Sequence, residues 1–371
     1  MKFLVIRNQR TRRGQSDSKP GGDLDPHSMP RFEFRLQPYK EGESTWRRLV
    51  TESSGDNLYV SELWIELLAR AYRLPMSLAT IQESGKAIAA CVFARSRGPL
   101  SRRFISLPFS DSGALVARDD EAASALLGSL SREGTGAASY EIRGFRAPAP
   151  WQTIECFVDY TLDLGRPLAA IERGLDSNFR RNLRRAASQG IEIDTGDTVD
   201  LMSRFCTMQL ESRHHMGLPA QPRRFFKSVQ ELFAPNRDLD IRIARQNGHD
   251  VASAVFLRQN DCLYYKWGAR RRSEDSSANH LLFWNAIQDF ASRARILDLG
   301  RTDVRNAGLI RFKRGLGATS TSLPVSYYPR VPAHVSAEVL TGARKLMAAV
   351  WRKLPISAAR ILSDLAYGFL A

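Results

Sequence analysis

The chain has 371 residues, 43% of them hydrophobic, which exceeds one ordinary core and suits two domains with tails. A net charge of +15 and a pI near 10.0 point to anionic partners: phosphate-bearing substrates, nucleic acid or an acidic membrane surface. The four cysteines, Cys91, Cys156, Cys206 and Cys262, contain no CxxC pair, so neither a zinc pattern nor a disulfide framework is present and a reducing cytoplasm fits.

Residues 8–30, "NQRTRRGQSDSKPGGDLDPHSMP", are polar, rich in Gly and Pro and nearly free of large apolar groups. They cannot offset the entropy of being ordered, and residues 1–30 read as a disordered leader. "MKFLVI" is too short for a signal h-region, and no stretch approaches the roughly 20 apolar residues of a membrane-spanning helix. Folded structure is expected from "RFEFRL", where Phe32, Phe34 and Leu36 alternate with polar positions as in a half-buried strand.

An internal echo follows. "QESGKAIAACVFAR" and "RQNGHDVASAVFLR" align without a gap, pairing Gly85 with Gly248 and Ala89 with Ala252, and each reads as strand, tight turn, strand. Each follows a helical pattern, "SELWIELLARAY" before the first and "RRFFKSVQELF" before the second. A helix and hairpin occurring twice predicts two copies of one α+β domain, assigned to 31–160 and 161–331.

Between the copies, "LDSNFRRNLRRAASQGIEI" predicts a helix capped by Asp176 or Ser177 and ended by Gly190, with Phe179, Leu183 and Ala187 inward. Arg180 with Arg184, and Arg181 with Arg185, stand at i,i+4, where like charges cost about 0.2–0.5 kcal/mol per pair unless an anion neutralises them. The face is either a phosphate-binding surface or a solvated one. No zinc finger, RNP motif or helix-turn-helix accompanies it.

After the second hairpin "CLYYKWGA" continues as a strand, "SANHLLFWNAIQDFASRA" forms a helix with Leu282, Ile287, Phe290 and Ala291 on one face, and "RILDLG" returns as a strand. The strand-to-helix junction "GARRRSEDSSANHLL" could hold a phosphate on free helix amides and Arg270 to Arg272, although it lacks the glycines of a pyrophosphate loop. In "GLIRFKRGLGATSTSLPV", Leu309, Ile310, Phe312 and Leu316 draw the segment into a core, leaving Lys313 at its edge before a strand-like run. Beyond residue 332, "AEVLTGARKLMAAVWRKLP" and "ISAARILSDLAYGFL" are two amphipathic helices parted by Pro355. Val339, Leu346, Val350, Trp351 and Leu354 share a face bordered by Arg344, Lys345, Arg352 and Lys353, which suits either an acidic membrane surface or the protein's own domains.

In order along the chain, "SLPFSDSGALV", "NFRRNLRRAASQGIEI", "RHHMGLPAQPRRFF", "YYKWGARRRSEDSSANHLLFWNAI", "LDLGRTDVRNAGLIRFKRGLGA" and "SLPVSYY" together resemble the Fem-type (FemAB-like) acyltransferases of the GNAT superfamily. The resemblance is greatest to the proteobacterial branch associated with exopolysaccharide and exosortase systems. It implies an α+β fold of two tandem GNAT-like domains, each a mixed sheet flanked by helices, with the amphipathic helical tail (332–371) following. It also implies amide formation, with no cofactor beyond an acyl donor that is either acyl-CoA or aminoacyl-tRNA. The acceptor implied is an amine on a phosphate-bearing or lipid-linked envelope precursor, modified in the cytoplasm or at the inner membrane. "FK" before "GxG" resembles the place of the family's oxyanion-stabilising lysine, which maps to Lys313.

From the residues themselves, Asp298 and Asp303 are candidates for the base that takes the amine proton, or for loop caps. Tyr265 and Trp267 would line an acceptor channel or belong to the core. Arg180, Arg181, Arg184, Arg270, Asn279 and Arg301 complete the expected substrate-binding set, and no metal site is expected. The alternatives are a plain acetyl-CoA-dependent N-acetyltransferase and a non-catalytic tandem module that binds anionic glycans.

Overall fold

A computed structural model of the chain describes residues 31–53, 57–95, 103–133, 139–271, 277–332, 335 and 340–367. The expected leader lies outside them, as do residues 272–276 of the arginine-rich junction. The strands of the first half are β1 (Glu33–Pro38), β2 (Met76–Glu83), β3 (Lys86–Arg95), β4 (Arg103–Ile105), β5 (Ala114–Ala117), β6 (Ser139–Arg143) and β7 (Gln152–Ile154). Those of the second are β8 (Phe157–Asp163), β9 (Glu192–Gly196), β10 (Leu239–Gln246), β11 (His249–Gln259), β12 (Cys262–Arg270), β13 (Ile296–Asp303) and β14 (Thr319–Ser322), followed by β15 (Val325–Tyr328). One sheet runs β1-β2-β3-β4-β6-β15-β7, with β5 also on β3, and the other runs β14-β8-β13-β12-β11-β10-β9.

The echo is structural. β2-β3 and β10-β11 are antiparallel hairpins whose turns, Ser84-Gly85 and Asn247-Gly248, all have positive φ, the geometry that matches strand twist in a two-residue loop. The preceding helices, Glu62–Tyr72 and Arg223–Phe233, fill equivalent places and pack on each other where the halves meet. Ser61 caps the first by accepting the Trp64 N–H at 3.2 Å. Tyr72 stacks on Phe225 at 5.3 Å and Trp64 on Trp267 at 6.3 Å, and Arg70 pairs with Glu231 at 2.7 Å. One continuous core therefore spans both halves, joining Trp46, Leu68 and Val92 to Phe205, Phe233 and Ile243. Burying such aromatic groups contributes the dominant favourable energy of association between the halves.

Two boundaries differ from the sequence reading. The division at 160 and 161 falls inside β8, whose pairing with β13 begins at Phe157 and commits the whole strand to the second sheet. Nor does the second half run unbroken to 331: β15 crosses back and inserts between β6 and β7. Lys313 sits on a helix, Ala307–Gly315, and the strand-like run that follows it is the edge strand β14. Asn306 caps that helix by accepting the Leu309 N–H at 3.1 Å; Ile310, Phe312 and Leu316 pack on the core, and Leu309 faces the cleft described below.

The tail forms helices Leu340–Lys353 and Ile356–Ala366, with Pro355 at the N-cap of the second. Both pack on helix Val199–Met216.

Candidate active site

The central feature of the second sheet is a divergence. β12 and β13 pair in parallel only from Cys262 to Tyr264 against Ile296 to Asp298, and then part. A bulge in β12 opposite Val255 and Phe256, and a register shift in β13 between Asp298 and Arg301, accompany the separation. A cleft of about 640 Å³ opens there. Tyr265, Gly268 and Arg270 from β12, Leu299 from β13, Asn279 and His280 from helix Ser277–Phe290, and Phe312 and Lys313 line it.

Lys313 is the buried charge of this cleft, 2% exposed. Its Nζ donates to the Gly300 carbonyl at 2.6 Å and to Thr302 Oγ1 at 2.7 Å, and lies 5.7 Å from the centre of the Tyr160 ring. An ammonium has three N–H donors, and these two bonds leave the third without a partner among the described residues. Burial pulls the Lys313 pKa down to about 8, against the attraction of Asp111, Asp159 and Asp298. Gly300 presents its carbonyl because its backbone is left-handed, φ +74°, a conformation that other residues enter at a cost. The Asp298 carboxylate accepts the Gly300 N–H at 2.8 Å and so fixes that turn.

A smaller chamber of about 120 Å³ lies between the halves, lined by Tyr59, Asp111, Arg143, Asp159, Asp298 and Ser322 among others. Lys266, whose side chain is 4% exposed, holds two of these groups by donating to Asp111 Oδ2 at 2.9 Å and to the Tyr59 hydroxyl at 2.7 Å, while that hydroxyl lies 2.5 Å from the same carboxylate. Burial alone would raise the Asp111 pKa, but Lys266 and Arg301 outweigh it and hold the carboxyl well below the usual range. Burial, reinforced by Asp111, pushes the Tyr59 hydroxyl well above its ordinary value. The Lys266 ammonium also lies 4.5 Å from the Tyr59 ring centre and 5.0 Å from that of Trp64, an arrangement that stabilises a desolvated cation.

The expected site residues therefore divide. Lys313, Tyr265, Arg270 and Asn279 meet in the cleft. Burial pushes the Tyr265 hydroxyl up to about 12. Trp267 is the correction: it packs edge-on against Phe225 at 5.4 Å and Phe226 at 5.5 Å in the shared core, away from the cleft. Asp298 lines the smaller chamber and braces Gly300. Asp303 pairs with Arg305 at 2.6 Å and accepts its backbone N–H at 2.9 Å, as a loop cap does. The half-buried Arg301 lies over the Phe157 ring at 4.3 Å, and burial followed by Arg143 lowers its pKa.

Arg180, Arg181 and Arg184 stay on the exposed face of helix Ser177–Ser188, whose other face turns Phe179 onto His280 at 4.6 Å. Asp176 caps this helix by accepting the Phe179 N–H at 2.6 Å. Sequence reasoning missed Ser253, His280, Tyr59, Asp111, Asp159 and Lys266. Ser253 is 2% exposed, lines the cleft and has a hydroxyl with no hydrogen-bond partner among the described residues. His215 also lines the cleft.

Chemically, the cleft offers an apolar wall, a few polar groups and one shielded cation with a donor to spare, which suits stabilising negative charge that develops on a bound carbonyl.

Residues 173–314 match the family model described as "Acetyltransferase (GNAT) domain". No curated protein matches the sequence. Among solved structures, the chain is similar to FemX with a TM-score of 0.57 and 10% identity, over 79% of this chain and 96% of that one. It is similar to the C-terminal domain of a putative lysylphosphatidylglycerol synthetase from Agrobacterium fabrum with a TM-score of 0.52 and 14% identity, over 82% and 96% of the two chains. The corresponding values for a protein of unknown function from Bacteroides thetaiotaomicron are 0.52 and 13%, over 77% and 96%. At these identities the structures establish a shared fold, and the domain match establishes the class of chemistry. The acetyltransferase (GNAT) domain, residues 173–314, makes the chain an acyltransferase, set in an α+β fold of two sheets that repeats one helix and hairpin.

Proposed function

We propose that the protein is an N-acyltransferase that forms an amide on an amine of a phosphate-bearing cell-envelope or exopolysaccharide precursor, taking the acyl group from acyl-CoA or from aminoacyl-tRNA. The observation that carries this reading is the Lys313 ammonium, buried at the cleft wall with two N–H groups engaged and the third unpartnered among the described residues. In such a reaction the amine nitrogen attacks the acyl carbon and forms the new C–N bond. The carbonyl oxygen takes the electron pair, and Lys313 donates to it. Collapse expels the donor's thiolate or ribose alkoxide, and the proton that the amine gives up ends on this leaving group, which departs as the free thiol or hydroxyl. The donor's acyl end fits the cleft between β12 and β13.

The exposed arginines on helix Ser177–Ser188 are suited to phosphates of whichever partner carries them. The name of one structural relative, lysylphosphatidylglycerol synthetase, states a lipid product, which supports a lipid-linked acceptor here. The family description favours a second reading, a simple acetyl-CoA-dependent N-acetyltransferase. Incubating the protein with envelope precursor extract and either labelled acetyl-CoA or labelled aminoacyl-tRNA separates them by which label becomes acid-stable on the precursor. Failure of acyl-CoAs and charged tRNAs alike to transfer a label would overturn the proposal.

A further inference from the structure

Among the described residues, the tail helices are anchored on one side. Helix Leu340–Lys353 crosses the end of Val199–Met216 so closely that a Cβ on Gly217 would lie 2.5 Å from the Ala348 carbonyl oxygen and 2.6 Å from the Ala348 Cβ. In helix Ile356–Ala366, Ala359 is fully buried and the Ser363 hydroxyl accepts the Ala220 N–H at 3.0 Å, after which Tyr367 stacks at 6.0 Å on Tyr72. With that side held by protein, Leu346, Met347, Val350, Ile361, Leu362 and Leu365 point outward, each between 41% and 71% exposed. Their spacing puts 346, 347 and 350 on one helical face and 361, 362 and 365 on another. Lys345, Arg352, Lys353 and Arg360 are exposed beside them, and residues 340–367 hold five cations against one carboxylate, Asp364.

We infer that this face docks on an anionic bilayer, its apolar side chains entering the headgroup boundary and its cations pairing with lipid phosphates. Charge decides the occupant. A second copy of the chain would press five cations against five, whereas an acidic lipid surface complements them. The location matters as much as the chemistry. The helix end that the tail covers also lines the cleft through Ser212, His215 and Met216, and Met216 is 56% exposed. Docking therefore sets the cleft mouth beside the bilayer. Resting on the acyl-transfer reading, it follows that one substrate is a lipid-borne amphiphile that reaches the cleft without crossing bulk water.

The test is flotation of the full chain with vesicles of phosphatidylcholine alone or mixed with phosphatidylglycerol. Binding to the mixed vesicles that weakens with added salt is expected, falling by more than about ten-fold in the triple variant Leu346→Gln, Met347→Gln, Val350→Gln. Lys345→Glu with Lys353→Glu should also lose binding while leaving the apolar face intact. Both variants should keep the wild-type melting temperature, since the changed side chains are exposed. The inference is overturned if the wild-type chain ignores both vesicle types or the triple variant floats like the wild type. It is equally overturned if light scattering shows a dimer that the triple variant abolishes. Flotation requires no turnover, so a chain that binds vesicles but transfers no acyl group sinks only the acyl-transfer reading.

Discussion

Lys313→Met removes the cation while nearly preserving side-chain length, and it separates catalysis from stability. Losing one preorganised donor to an oxyanion costs about 2.7–4 kcal/mol of transition-state stabilisation, a fall in kcat of about 10²- to 10³-fold. Stability moves little, because two effects oppose. Depressing the lysine pKa from 10.5 to about 8 means that the buried ammonium costs about 3 kcal/mol, which methionine relieves. Against this, the Gly300 carbonyl and the Thr302 hydroxyl lose their donor, at about 1–3 kcal/mol each.

The pH dependence carries a sign. Because the folded pKa is below the unfolded one, the unfolded chain binds more protons between about pH 8 and pH 10.5, so stability contributed by this group rises with pH in that window and is lost as pH falls through about 8. Catalysis runs the other way. The ammonium form is required, so kcat should show a descending limb with a midpoint of about 8 that is missing from Lys313→Met. Turnover is followed by thiol release or by label transferred from charged tRNA, and unfolding by urea titration at several pH values. A variant with kcat within about two-fold of wild type, or a wild-type limb that ascends through that pH, refutes the oxyanion role.

Three further outcomes are expected. Asp111→Asn leaves Lys266 buried without its counter-charge and should cost about 3–5 kcal/mol in urea unfolding. The gap should narrow in acid, because the depressed Asp111 pKa contributes stability above the ordinary carboxylate range that is lost as pH falls through the folded value. Gly217→Val places a branched side chain at φ +73° against Ala348, so limited proteolysis should cut within 340–367 while the rest of the chain stays protected. Arg180→Ala with Arg184→Ala, both exposed and without side-chain partners among the described residues, should leave stability within about 0.5 kcal/mol and kcat unchanged, and raise KM for the phosphate-bearing substrate.

What could be read in the sequence was what local chemistry determines. The paired hairpins were legible because Ser84-Gly85 and Asn247-Gly248 specify their own turns. Helix Arg223–Phe233 was legible from its apolar spacing to the residue. Tyr265 and Trp267 show why the cleft was harder. Strict alternation puts residues two apart on one face of a strand, but the β12 bulge inserts an extra residue between them and sends Tyr265 to the cleft and Trp267 to the core. Asp111 and Lys266 were invisible as partners because 155 positions separate them and only the packing of the two halves brings them together. Lys313 was located by resemblance, whereas its acceptors, Gly300 and Thr302, emerge only once β13 turns away from β12.

The placement of β15 dictates an order of assembly. β6 and β7 do not pair with each other; each bonds to β15, which the ribosome delivers some 170 residues later than β7. During synthesis the slot between β6 and β7 therefore stays unfilled until β15 emerges and ties the amino-terminal sheet to the end of the second half. Truncation near residue 160 would strand β6 and β7 without their shared neighbour, so the amino-terminal sheet is completed only by the far end of the second half.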